Sequence, residues 1–228
     1  LDAIHRYKSN PNDAKIAIDI TNLTSEQKQE LALFAADLSN QVRKQMGTDP
    51  VDVTNSSVDM GWTQAAYYST KFKTMWEMDH DTSKIKAEYG LKWVDEDLAG
   101  NWTNVSTMDG AKKAIYYAYT QWLFANNESL HASSIVGVRN SEEGADNHIG
   151  IGIAVLSDGS TLVNYNNASS VGIPASNTSF SITPIENTKT VEAITASYNQ
   201  SKEELAQATS ANAQAQDAKV KAQQVVQS

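Results

Sequence analysis

A layered α/β fold followed by a helical extension is what this 228-residue sequence predicts. Three observations carry the prediction. Amphipathic helical patterns come first along the chain, a glycine-interrupted apolar hairpin comes after them, and an alanine- and glutamine-rich tail without Gly or Pro closes the sequence. Helices with one apolar stripe need a common surface to cover, and a hairpin downstream of them supplies it as a sheet.

In the opening stretch Leu1, Ile4 and Tyr7 fall at helical spacing, as in the end of a longer helix, and Ser9-Asn10-Pro11-Asn12 stops it. Ile16 to Ile20 reads as a short extended segment. The first substantial helix is announced by Thr24 with Gln27 three residues later, the pattern of a capping box, and by Leu31, Phe34, Leu38 and Val42. Gly47 and Pro50 end it. A second helix is expected from about Asp59 to Met78, with Trp62, Ala65, Ser69, Phe72 and Trp76 on one face. A third runs from Met108 to Phe124 through Ala111, Ile115, Ala118 and Trp122. His148 to Leu156 and Thr161 to Tyr165, joined by Ser157-Asp158-Gly159-Ser160, read as a β-hairpin.

Past Pro174 the composition changes. Residues 175–187 read as a linker, and 188–228 as a helical stalk segment in which Val191, Ile194, Tyr198, Ser201, Leu205, Ala208, Ala215 and Ala222 form a heptad seam interrupted by Asn212 and Lys219. The domain division is thus 1–23 flank, 24–174 globular domain, 175–187 linker and 188–228 stalk, the last able to self-associate or to stand as a single exposed helix.

Composition narrows the function. The formal charge of −9 and the absence of a basic run disfavour nucleic acid. With no cysteine there is no disulfide, thiol nucleophile or thiolate metal site. No apolar run approaches the ~20 residues of a membrane span. The first residue is Leu1, not an initiator Met, and the sequence reads as a piece of something longer. No nucleophile elbow, phosphate-binding glycine loop or His-Glu-x-x-His is present. Asp95 to Gly100 begins like a calcium loop, but Ala99 stands at a ligand position, and it reads as a solvated turn. Glu142 to Asp146 reads as another. His5 is expected in solvent and His148 packed at a strand start, whereas His80 and His131 each lie beyond a Trp-containing helix. Tyr67, Tyr68, Tyr116, Tyr117 and Tyr119 flank the apolar seams, as groove-lining rings or as half-covered helix edges.

The order of Trp62, His80, Gly100-Asn101-Trp102-Thr103-Asn104-Val105-Ser106, Trp122 before His131-Ala132-Ser133-Ser134-Ile135-Val136-Gly137, and His148-Ile149-Gly150-Ile151-Gly152-Ile153-Ala154 resembles the CAP superfamily. More narrowly it is similar to the surface-exclusion domain of PgrA-type proteins of Gram-positive bacteria, over residues 24–168. The resemblance implies an α-β-α sandwich with a cleft framed by two histidines and two acidic residues. His80 and His131 match the histidines. The family's Gly-Glu-Asn-x-Ala element is laid on Trp102 to Ser106, which puts Thr103 at the acidic position and Asn104 beside it, with Glu128 as a spatial substitute.

On that mapping the cleft is degenerate, because a threonine supplies neither a general base nor a metal-supporting charge. No cofactor is expected beyond a weakly held divalent cation at His80 and His131. The resemblance implies a non-catalytic cell-surface module for adhesion or surface exclusion, extracellular and attached to the cell wall in the full-length protein, with a surface protein, peptide or glycan as partner. The alternatives are a peptidase or other hydrolase using the two histidines, and a carrier of a lipid or sterol.

Overall fold

The computed structural model describes residues 5–125, 129–138, 145–188 and 202–216. The chain divides into two units, Leu1–Ile185 and Glu186–Ser228. The first contains α1 (Ser25–Met46), α2 (Asn55–Lys71), α3 (Ser83–Tyr89), β1 (Asp95–Asn101), α4 (Met108–Phe124), α5 (Leu130–Ile135), β2 (Asn147–Val155) and β3 (Thr161–Ser169). The strands form an antiparallel sheet in the order β1-β3-β2.

The helix starts follow from their caps. Thr24 and Gln27 form the expected reciprocal capping box on α1, Thr54 and Ser57 form another on α2, and Thr107 caps α4. Gly47, with φ 72°, ends α1 in the left-handed conformation that glycine adopts without a steric penalty.

The two sheet faces are covered by different helices. Gly150 and Gly152 of β2 point at α2, where an added Cβ would collide with the carbonyl oxygens of Ser57 and Gly61. Helix backbone therefore lies directly on sheet backbone, and Asn164 of β3 seals the contact by donating to the Gly61 carbonyl at 3.0 Å. The alternate residues face α1 and α4. Tyr165 of β3 packs its ring against Tyr119 and Trp122 of α4, and the Trp122 indole donates to the Leu98 carbonyl at 3.0 Å. The result is the expected α-β-α sandwich, and Ile149, Ile151, Leu162, Val163, Ala111 and Ile115 are fully buried within it.

Several expectations need correction. Asp95 to Gly100 is a buried edge strand, not a solvated turn. It lacks an apolar alternation: Glu96 is buried with hydrogen-bond donors around its carboxylate, and Asp97 is buried within ion-pair reach of His131. The second helix stops at Lys71, and Met75–Glu77 is a separate 3-10 turn, so Trp76 leaves the apolar face and is 80% exposed. Residues 6–10 are not helical: Tyr7, Ser9 and the Asn10 amide all donate to the Asp109 carboxylate, tying the flank to the start of α4. The segment after Pro174 is laid on the globular unit instead of linking away from it. Phe180 is 4% exposed, and the Ile185 amide donates to the Val53 carbonyl.

In the second unit, residues 202–216 form a helix, here α6, with every residue exposed within the unit. Leu205, Ala208, Asn212 and Ala215 of the heptad seam lie on it. The remaining seam positions and most of Glu142 to Asp146 lie outside the described residues.

Candidate functional site

Strand β1 lies at the edge of the sheet, and two successive acidic residues on it point to opposite faces because side chains alternate along a strand. Glu96 turns toward α2. Its carboxylate accepts from Gln64 Nε2 at 2.9 Å and Asn166 Nδ2 at 3.1 Å, and the Tyr68 hydroxyl lies 2.8 Å from Oε2 and 3.0 Å from Oε1. Asp97 turns toward α4 and α5, fully buried beside Tyr165, its direct neighbour on β3.

Each carboxylate meets one histidine. His80 Nδ1 lies 3.0 Å from Glu96 Oε2, and His131 Nε2 lies 3.9 Å from Asp97 Oδ1. The two imidazole centroids are 6.2 Å apart. The pair therefore straddles the sheet edge, one ring reaching β1 from the α2 layer and the other from the opposite layer. Because a carboxylate only accepts, His80 Nδ1 donates to Glu96 and its Nε2 lone pair is left for solvent or ligand. The bond to Glu96 raises the His80 pKa above the ordinary imidazole value, partial burial opposes the rise, and the charges of Glu96, Asp97 and Asp79 add to it.

The loop that carries His80 is held by the same helix residues that hold Glu96. Gln64 Nε2 also donates to the Asp81 carbonyl at 2.8 Å, and the Asp81 amide donates to the Tyr68 hydroxyl at 2.9 Å. Tyr67 and Lys71 grip the Asp81 carboxylate, which their hydrogen bonds and those of Ser83 keep well below the usual carboxylate range. On the other side, the buried Arg43 of α1 donates to the carbonyls of Ile135 and Ser134, clamping the last turn of the short helix that carries His131. Neither Arg43 nor Gln64 stands out in the sequence, since each is a polar residue in a helical pattern.

Thr103 and Asn104 are elsewhere. Asn101 closes β1 five positions beyond Glu96, about 17 Å away along an extended strand at ~3.3 Å per residue, and Thr103 follows it. The Thr103 amide donates to Asn101 Oδ1, and Asn104 Oδ1 accepts from the Ser106 amide. Glu128 lies outside the described residues. His148 is packed as expected, bonded through Nδ1 to Asp52 and set 6.4 Å from the Phe180 ring, while His5 stacks 4.5 Å from Phe124.

A solved structure described as the CAP domain of Enterococcal PrgA is similar in fold to this chain, with a TM-score of 0.60 over 82% of this chain and 79% of that one, at 20% identity. The fold is that of a CAP domain. No family model matches the sequence, and no curated protein is significantly similar to it. The Glu96–His80 contact relocates the acidic element. Asp95-Glu96-Asp97-Leu98-Ala99 carries Glu and Ala at the spacing of Gly-Glu-Asn-x-Ala and places that Glu against a histidine, which Trp102 to Ser106 does not. The argument that Thr103 empties the cleft of carboxylate is thereby overturned.

The cleft holds two imidazoles, one hydrogen-bonded to Glu96 and the other within ion-pair reach of Asp97 at 3.9 Å. The first contact has the outer-shell pattern by which a metal-ligating histidine is oriented. Among the described residues, however, no three His, Asp or Glu side chains converge as a metal-holding group. A divalent cation at this cleft would be held by His80 and His131, with water completing its coordination, and would act there as a Lewis acid.

Proposed function

We propose that this chain is a cell-surface interaction module, serving adhesion or surface exclusion, in which the CAP-fold head makes the contacts and the helical extension holds it away from the wall of a Gram-positive cell. The observation that carries this reading is the likeness of 82% of the chain to the CAP domain of Enterococcal PrgA. The division into a globular unit and a separate one containing an exposed helix supports it. The partner class is a surface protein, peptide or glycan, and pairing of the extension with a second copy fits the Leu205, Ala208 and Ala215 seam. Display of the chain on a Gram-positive host tests the reading. Removing residues 1–185 while keeping the extension should lower attachment of partner cells, and equal attachment at equal display level would sink it.

A second reading is favoured by one specific observation, the Glu96–His80 contact at 3.0 Å. A half-exposed imidazole hydrogen-bonded to a buried carboxylate is a competent general base for a water molecule, so a hydrolase acting on peptides is the rival function. Hydrolysis of generic peptides that disappears in both His80→Ala and Glu96→Gln would establish it over the binding module.

A further inference from the structure

Trp102 is 62% exposed, yet the loop that presents it is tied down by hydrogen bonds on both sides of the ring. Asn101 Oδ1 takes the Thr103 amide, Asn104 Oδ1 takes the Ser106 amide, and the Ser106 carbonyl accepts from the Ile18 amide. The Asn104 carbonyl lies where a Cβ at position 110 would be, so only glycine lets the loop lie this close to α4. A large amphipathic ring held in water by a fixed loop is a preorganised contact, costing little further ordering when a ligand arrives.

Two grooves of about 570 and 580 Å³ meet along this loop, both lined by Trp102, Thr103, Asn104 and Ser106. Their size is that of small-ligand sites. One is completed by Ile18, Ile20 and Val155, the other by Asp109, Lys113 and Tyr117. Each therefore offers an aromatic or aliphatic wall beside hydroxyl and amide groups.

We infer that this loop is a carbohydrate-binding platform, remote from the histidine cleft, on which the C–H face of a neutral pyranose stacks against Trp102 while Thr103, Asn104 and Ser106 meet its hydroxyls. Neutral sugar fits better than a polyanion: the chain carries a net −9, and Asp19 and Asp109 line the grooves. Sugar also fits better than an extended peptide. Strand addition needs open backbone groups, and here the Ser106 and Asn104 backbone is committed to Ile18, Asn104 Oδ1 and the packing on α4. The site is separate from the cleft and stands whether or not the cell-surface reading holds.

The test uses the whole ¹⁵N-labelled chain, which has five tryptophans and so five indole N–H resonances, with Trp102 assigned by its loss in Trp102→Phe. Cellotetraose, maltotetraose and tetra-N-acetylchitotetraose are titrated in turn. At least one should shift the Trp102 resonance saturably, with affinity, read in parent and variants alike from the backbone amides of Thr103, Asn104 and Ser106, reduced roughly tenfold in Trp102→Ala, as for loss of an aromatic anchor, and far less in Trp102→Phe. His80→Ala should bind as the parent does. Absence of a saturable shift with all three sugars overturns the proposal, as does binding undiminished in Trp102→Ala or a response confined to peptides. Should Trp102→Ala melt early, equal affinity of parent and a folded Trp102→Gln variant overturns it instead.

Discussion

The imidazole of His80, 52% exposed at its side chain, hydrogen-bonds at 3.0 Å to Glu96, whose side chain is 2% exposed. One partner is in water and the other in the core, so the contact joins solvent-accessible proton chemistry to a fixed acceptor. Glu96 is fixed because α2 and β3 supply its remaining donors, and His80 is fixed because α2 also holds its loop. Disturbing Glu96 should therefore be felt in the titration of His80 and in the stability of the fold.

His80 titrates above the ordinary imidazole value of 6.5 chiefly because Glu96 accepts its hydrogen bond. Glu96→Gln should lower the His80 pKa, read from the imidazole resonances against pH. Since the folded value is raised, the stabilisation from protonated His80 is complete below pH ~6.5 and is lost as pH rises through the folded value. An unchanged pKa in Glu96→Gln would assign the shift to Asp97 and Asp79 instead.

Glu96→Ala should also destabilise the head by roughly 3 kcal/mol, from ~1–3 kcal/mol for each buried donor left without an acceptor. The donors stranded are those of Gln64, Tyr68 and Asn166. Denaturant unfolding at pH 7 checks this, and a loss under about 1 kcal/mol, the scale of a surface change, would mean that water replaces the carboxylate.

Gly152→Ala should cost about 3 kcal/mol or more, because overpacking is tolerated only where a neighbour can move and here the neighbour is α2 backbone. Gly159→Ala is the contrasting case. Its φ of 86° strains an alanine, but nothing lies within 4 Å of the added carbon. Comparison of their melting transitions separates crowding from backbone strain.

A chain ending at Thr188 should keep the cooperative melting transition of the parent, whereas one ending at Pro174 should not. The second cut removes Phe180, whose ring packs against Tyr89 and His148, and deletion of a buried phenyl ring alone costs ~3–5 kcal/mol. Equal melting of the two truncations would show the 175–185 segment to be dispensable.

Zinc should bind weakly and lose affinity as pH falls, because protonating either imidazole removes a ligand. Calorimetric titration should show the binding abolished by His80→Ala and unaffected by Thr103→Glu, since Thr103 lies beyond the far end of β1 from the histidines. Tighter zinc binding in Thr103→Glu would return Thr103 to the cleft.

The α1 and α4 helices, the capping box of α1 and the β2–β3 hairpin were legible in the sequence, because capping and hydrophobic period are local properties of adjacent residues. The order of weak motifs also carried the likeness to CAP domains and singled out His80 and His131. The acidic half of the cleft was not legible. Asp95-Glu96-Asp97 has the composition of a solvated turn, and only tertiary structure turns it into an edge strand, since the donors that make burial of its charge affordable come from Gln64 and Tyr68 on α2 and Asn166 on β3. Likewise nothing near His131 in the chain announces Arg43, which holds its helix from 92 residues away. Local pattern determined where α1, α4 and the β2–β3 hairpin lie and singled out His80 and His131 beyond their helices. Which carboxylate faces which histidine was decided by long-range pairing, through the register that sets Glu96 beside Asn166 and Asp97 beside Tyr165.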